Sequence, residues 1–221
     1  MSQVSRPRLA YPLIALTAVA GLAVLLGVHW APLTRFDSAL SERARTFGHA
    51  HPIWVGTLRV VTDAGATMVF LAAGTALAVV LLWLRRYADS AAIALCTVAV
   101  PAGWLAFHAW LPRPRPVAGF VTVDSNGFPS GHSAHAAAAG LIAVLLLWPR
   151  LRRTGRVVAV VAAVAAAAVV GVSRVALLAH WPSDVVGGWL LGFALASLCV
   201  AAVGMVQSCA RWRSSGTADP T

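Results

Sequence analysis

Arg174, His180 and Asp184 have the types and spacing for nucleophilic chemistry on an anion. They share the run Ser173-Arg174-Val-Ala-Leu-Leu-Ala-His180-Trp-Pro-Ser-Asp184, which lies between two long apolar segments. An ionised side chain deep in a bilayer costs about 2.5–3.5 kcal/mol on insertion scales, so a polar cluster at such a point reads as functional. Pro182 suits the first position of a helix, which puts Asp184 in that helix's first turn. From there a carboxylate can reach back to His180, much as an N3 carboxylate reaches back to its cap. A carboxylate on one imidazole nitrogen leaves the other free to attack. Arg174 can hold an anion beside it. A salt-bridged loop between two helices is the alternative that this stretch alone leaves open.

Two further clusters complement it. In Phe128-Pro129-Ser130-Gly131-His132, Pro129 suits a helix start, with Ser130 and Gly131 in the first turn. Free N–H groups and the helix dipole make such a turn an anion site, and Gly131 lets the backbone approach a ligand. His132 beside it is a candidate general acid, and an ordinary N-terminal cap is the alternative. The remaining cluster is His108-Ala-Trp-Leu-Pro-Arg113-Pro-Arg115-Pro116.

Something must carry these clusters. The chain has 221 residues, 59% hydrophobic and 11% charged, with a mean hydropathy of +0.79. Soluble domains carry about 25% charged residues, so this is an integral membrane protein, expected to be one domain over residues 1–221 with a core at about 11–206. The net charge is +10, and all 17 basic residues are Arg. They fall in short clusters between apolar runs, which argues for a lipid bilayer and against nucleic acid. Cys96, Cys199 and Cys209 show no metal-ligand or disulfide spacing and read as small apolar residues.

Six apolar runs are expected to span: about Tyr11–Val28, Val60–Leu84, Ala91–Leu111, Ser133–Trp148, Val157–Leu178 and Asp184–Val206. Several approach the roughly 20 residues that cross the hydrocarbon core, and helices are the form that satisfies their backbone there. The first run is long for a signal peptide and lacks a clean cleavage site. In the mixed segment Trp30–Val55, Phe36, Leu40, Ala44 and Phe47 recur at spacings of three and four, which predicts an amphipathic helix on the membrane surface. The fold class is therefore all-α, a six-helix membrane bundle. The dense loop Arg150–Arg156 sets both termini in the cytoplasm. All three polar clusters then lie at the outer ends of spans, on one side of the bundle.

Together the clusters resemble the type-2 phosphatidic acid phosphatase family, in the superfamily that also holds vanadium-dependent haloperoxidases. That family's pattern is Lys, six residues, Arg-Pro; then Pro-Ser-Gly-His; then Ser-Arg, five residues, His, three residues, Asp. The third motif matches at Ser173, Arg174, His180 and Asp184, the second at Pro129 to His132, and the first at Arg115-Pro116, with His108 in the Lys position. The motifs cover about a third of the chain, and the six-span layout resembles the family over nearly all of it.

The resemblance implies a phosphohistidine mechanism. His180 attacks phosphorus, Asp184 orients His180, and His132 protonates the leaving oxygen and then activates water. His108, Arg115, Arg174, Ser130 and the Gly131 N–H would hold the phosphoryl oxygens, with Arg113 a further candidate. No metal or cofactor is implied. The expected activity is a metal-independent lipid phosphatase, facing the outside of a bacterial-type plasma membrane. Its substrate would be a membrane lipid phosphate, either an isoprenyl diphosphate or a phosphatidic-acid-like lipid. The short loop Val117–Gly127, with Asp124 its only charge, favours a small headgroup. A phosphotransferase using the same site, or a non-catalytic membrane protein with a degenerate first motif, are the rivals.

Other residues carry structural expectations. His135 shares a face with His132 and reads mainly as packing. Asp63, four after Arg59, predicts an ion pair. Gly188 and Gly192 predict close helix packing. Trp30, Trp54, Trp110, Trp148 and Trp181 read as interface anchors.

Overall fold

The computed structural model describes residues 9–123 and 125–216, with side chains as far as Cys209. Arg6 and Arg8, Asp124, and the side chains of Arg211 and Arg213 lie outside that description. Among the described residues every regular element is helical: α1 (Ala10–Gly27), α2 (Ala31–Ala50), α3 (Pro52–Asp63), α4 (Thr67–Trp83), α5 (Tyr87–Trp110), α6 (Gly131–Leu147), α7 (Arg153–Ala176) and α8 (Pro182–Gly216). A single 3-10 turn, Trp148–Arg150, follows α6. Among the described residues six spans are long and apolar enough to cross a membrane, with α3 and α4 together forming the second.

Each span begins or ends where the sequence changes character. Pro52 and Pro182 open α3 and α8, positions where the missing N–H has no helical acceptor to lose. His29, Arg85 and Leu178 follow α1, α4 and α7 in the left-handed region, with φ of 52°, 57° and 53°. Such residues turn the chain sharply out of a helix.

The second span departs from expectation. Val60–Leu84 reads as one helix, but the chain breaks at Ala64–Ala66. Gly65 and Ala66 donate backward to the carbonyls of Thr62 and Asp63 at 2.9 and 3.0 Å. Residues 52–55, expected in the surface segment, instead begin this span. A side chain at Gly65 would come within 2.7 Å of Val170 and 3.0 Å of the His132 carbonyl, so the break lets the span pass tightly against α6 and α7. The expected Arg59–Asp63 ion pair is not formed. Arg59 donates to the Phe120 carbonyl, and Asp63 is exposed at the break.

Helix α2 is amphipathic in an inverted sense. Asp37, Ser41 and Gly48 face the protein, while Phe36, Leu40 and Phe47 are exposed. That is the arrangement for a helix bordering lipid, where the apolar side gains by facing outward.

The centre of the bundle is α6 against α8. A Cβ on Gly188 would stand 2.3 Å from the Ser130 carbonyl, and one on Gly192 would stand 2.1 Å from that of Ala134. Only glycine permits this approach. Around it a buried core gathers Phe70, Leu81, Ile93, Val100, Ala134, Ala138 and Ala196. Trp30, Trp54, Trp110 and Trp148 are exposed near span ends, as interface anchors should be. Trp181 differs, since it donates from Nε1 to the Pro114 carbonyl at 2.8 Å and packs on the loop.

Candidate active site

The ends of α5 and α7 and the starts of α6 and α8 meet at one pole of the bundle, and the described loop residues 111–123 and 125–130 fold over them. Two arginines clasp that loop. Arg45 of α2 donates to the carbonyls of Val117 at 2.8 Å and Ala118 at 3.2 Å, and Arg59 of α3 donates to Phe120.

His180 is presented by a chain reversal. After left-handed Leu178, the N–H groups of Ala179 and His180 both bond the Arg174 carbonyl, at 3.0 and 3.3 Å. Two residues later Pro182 starts α8. The carboxylate of Asp184 reaches back as the sequence suggests, but its Oδ2 accepts the N–H of Trp181, the cap residue, at 2.9 Å. This is the reciprocal pattern of a capping box.

The His180 ring is fixed at both nitrogens. Nδ1 lies 2.8 Å from the Gly127 carbonyl, which can only accept, so Nδ1 carries the hydrogen. Nε2 is therefore a bare lone pair, 2.9 Å from Arg115 Nη1. Asp184 Oδ2 stands 3.6 Å from Nδ1, beyond hydrogen-bond distance. The orienting bond assigned to Asp184 is made here by a backbone carbonyl. Burial pushes the His180 pKa down to about 4, with Asp184 pulling upward and Arg115 adding to the fall. The ring is thus a neutral base at physiological pH.

Arg115 has its donors spread over the loop. Nε bonds the Ser125 carbonyl at 2.7 Å, and Nη2 bonds the Asn126 carbonyl at 2.8 Å and Ser125 Oγ at 3.1 Å. Nη1 also reaches the Ala179 carbonyl. Burial lowers its pKa from the ordinary arginine value, while Asp184 acts in the other direction. Arg174, 5% exposed, donates from Nη1 to Thr62 Oγ1 at 3.2 Å, and its Nε has no partner among the described residues.

His132 stands at the start of α6, within electrostatic reach of Arg174, His180 and Arg115. Ser130, an expected phosphate ligand, stands at the N-terminus of α6. Its Oγ accepts the Ser133 N–H at 3.4 Å and the Ser133 hydroxyl at 3.0 Å, which makes it the cap of α6. The helix rule leaves the Gly131 and His132 N–H groups without an intrahelical acceptor, so the backbone keeps an anion-binding capacity there. A Cβ on Gly131 would stand 3.1 Å from the indole of Trp104, so any larger residue presses on that ring.

His108 lies beside this cluster, within electrostatic reach of Arg115 and Asp184. It is buried, neither ring nitrogen has a hydrogen-bond partner among the described residues, and the ring leans on Trp104 with centroids 4.9 Å apart. His135 packs as expected, stacked on Phe70 at 4.7 Å, with Nδ1 3.1 Å from the Gly65 carbonyl. Arg113 is not open to an anion. Nη2 binds Asp37 Oδ2 at 2.6 Å and Nη1 binds Asp184. Among the described residues no group of three or more His, Cys, Asp or Glu is placed to hold a metal ion.

Sequence reasoning missed Asp37, Thr62 and the Gly127 carbonyl. Asp37 borders the apolar stripe of α2 among several charged residues, where a solvated flank is the ordinary reading. Thr62 sits in an apolar run, and a carbonyl leaves no mark in a sequence.

The assembled site pairs a bare imidazole nitrogen with two arginines, a second histidine and a helix N-terminus, which suits in-line displacement on a phosphoryl group. Comparisons with known proteins point the same way. The family model of the PAP2 superfamily matches residues 90–208. Phosphatidylglycerophosphatase B of Escherichia coli K12 and of Shigella flexneri are each 46% identical over 73 residues, 32% of this chain. That match spans about a quarter of their length, 26%. A transmembrane PAP2-type phosphatidylglycerolphosphate phosphatase from Bacillus subtilis superposes with a TM-score of 0.76 at 27% identity, covering 86% of this chain and 94% of that one. Aquifex aeolicus LpxE shares the fold, with a TM-score of 0.52 at 20% identity over 72% of this chain and 92% of its own.

Proposed function

Since the chain belongs to the PAP2 superfamily, we propose that it is a metal-independent lipid phosphatase working through a phosphohistidine at the outer face of a bacterial plasma membrane. The observation that carries this reading is His180. Its Nδ1–H is held by Gly127, and its Nε2 lone pair faces Arg115. Nε2 attacks phosphorus as the bond to the leaving oxygen breaks. His132 gives its proton to that oxygen. In the second step His132 takes a proton from water, whose oxygen attacks phosphorus and breaks the P–N bond, releasing inorganic phosphate. Arg115, Arg174 and the N-terminus of α6 meet the charge on the phosphoryl oxygens. Asp184 offsets the positive charge that the ring acquires.

The substrate is a phosphate or diphosphate headgroup on a lipid whose tails remain in the bilayer. Phosphatidylglycerophosphate is favoured by the kinship with proteins named for it, and isoprenyl diphosphates and phosphatidic acid fit the same chemistry. The outer placement is supported by the dense arginine loop at the opposite pole. The test is phosphate release by purified protein in chelator, compared across phosphatidylglycerophosphate, phosphatidic acid, an isoprenyl diphosphate and its monophosphate. Release from none of them, or release only after a divalent metal is added, would overturn the reading. Release that requires an added alcohol acceptor would identify a phosphotransferase instead.

A further inference from the structure

Asp37 lies outside every motif above, yet it is 1% exposed and ties α2 to the start of α8. Its Oδ1 accepts the Ser183 N–H at 3.0 Å, and its Oδ2 accepts the Ser183 hydroxyl at 2.5 Å and Arg113 Nη2 at 2.6 Å. The same guanidinium donates from Nη1 to Asp184 Oδ1 and, at 2.8 Å, to Ser183 Oγ. One arginine is shared between two buried carboxylates.

The sharing sets the charge beside the nucleophile. Arg113 paired with Asp184 alone would be a neutral pair, with little field left at His180. With Asp37 included, the three groups carry a net charge of −1 next to an imidazole that must turn cationic. The charged or titratable groups facing His180 are Arg115 from the loop, Arg174 from α7, His132 from α6 and Asp184 from α8. Of these four only Asp184 is negative, so how far its charge is cancelled decides the field at the ring.

We propose that Asp37 is a positioning residue of the phosphoryl-transfer site, engaging one end of Arg113 so that Asp184 keeps its negative charge for His180. The inference rests on His180 being the nucleophile.

The test compares the purified full-length protein with Asp37→Asn, Arg113→Met, Ser183→Ala and the Asp37→Asn/Arg113→Met double variant, assayed for phosphate release across pH. Asp37→Asn should lower kcat about 10- to 100-fold, as losing an outer orienting partner typically does. KM should stay within about threefold, because no contact to substrate is removed. The acid limb of kcat/KM should move to lower pH, since His180 loses negative charge nearby. Arg113→Met should move it to higher pH, and the double variant should bring it back. Ser183→Ala, which keeps both charges, should leave the limb in place. An active wild type whose acid limb is unmoved in Asp37→Asn would overturn this inference alone. Should that variant not fold, an unmoved or lowered limb in Arg113→Met would do the same. A silent wild type would overturn the functional reading and this inference together.

Discussion

Asp184 does not hydrogen-bond the His180 ring: its Oδ2 stands 3.6 Å from Nδ1, and the carbonyl of Gly127, at 2.8 Å, receives the hydrogen instead. Tautomer and charge are therefore supplied by different groups. Gly127 fixes which nitrogen is bare, and Asp184 acts through its field. His180→Ala should remove phosphate release by at least about 10³-fold, the scale for losing a nucleophile. Asp184→Asn should cost less, about 10²-fold, because a field is lost while the tautomer is kept. Equal losses in a side-by-side assay would mean that Asp184 sets the tautomer after all.

The pH dependence of stability follows from the buried neutral ring. The folded pKa of His180, about 4, lies below the ordinary 6.5. The unfolded chain thus binds more protons between those values, and stability rises with pH across that window. It is fully present above about pH 6.5 and is lost as pH falls toward 4. The thermal midpoint in detergent should drop over this range, and His180→Gln should flatten the drop. Identical slopes in the two proteins would remove His180 as its cause.

Thr62 holds Arg174 through a hydrogen bond of 3.2 Å, and bonds to charged groups are worth about 1.5–3 kcal/mol. Thr62→Val should leave Arg174 poorly aimed, raising KM and the vanadate inhibition constant about tenfold in parallel. Vanadate is the sharper probe, since it mimics the phosphoryl group in transfer. Unchanged vanadate inhibition in this variant would place Arg174 away from the phosphoryl oxygens.

His108 sits in the Lys position of the first motif, and among the described residues neither ring nitrogen is partnered. A Lys at this point adds a longer cation with three donors, so His108→Lys should keep or raise phosphate release. A large loss in kcat/KM at unchanged thermal midpoint would show that the imidazole does something the ammonium does not.

Much of this molecule is legible because a bilayer makes strong demands on sequence. The six spans appear as apolar runs, and α2 announces itself through Phe36, Leu40 and Phe47. The break at Ala64–Ala66 was hidden, since alanine favours helix and a lone glycine is tolerated inside membrane helices. It became necessary only where Gly65 meets His132 and Val170.

The sequence by itself determined which side chains can do chemistry. His180, His132, Arg115, Arg174 and Asp184 stand at span ends because polar groups are too costly elsewhere in lipid. Only the tertiary structure decided what each of them touches. It made Ser130 a cap, locked Arg113 between Asp37 and Asp184, and aimed the His180 Nδ1–H at the Gly127 carbonyl. These are contacts between distant segments, and several run through backbone atoms that every residue possesses. Their partners are selected by the packing of α2, α6, α7 and α8, which no local pattern in the chain records.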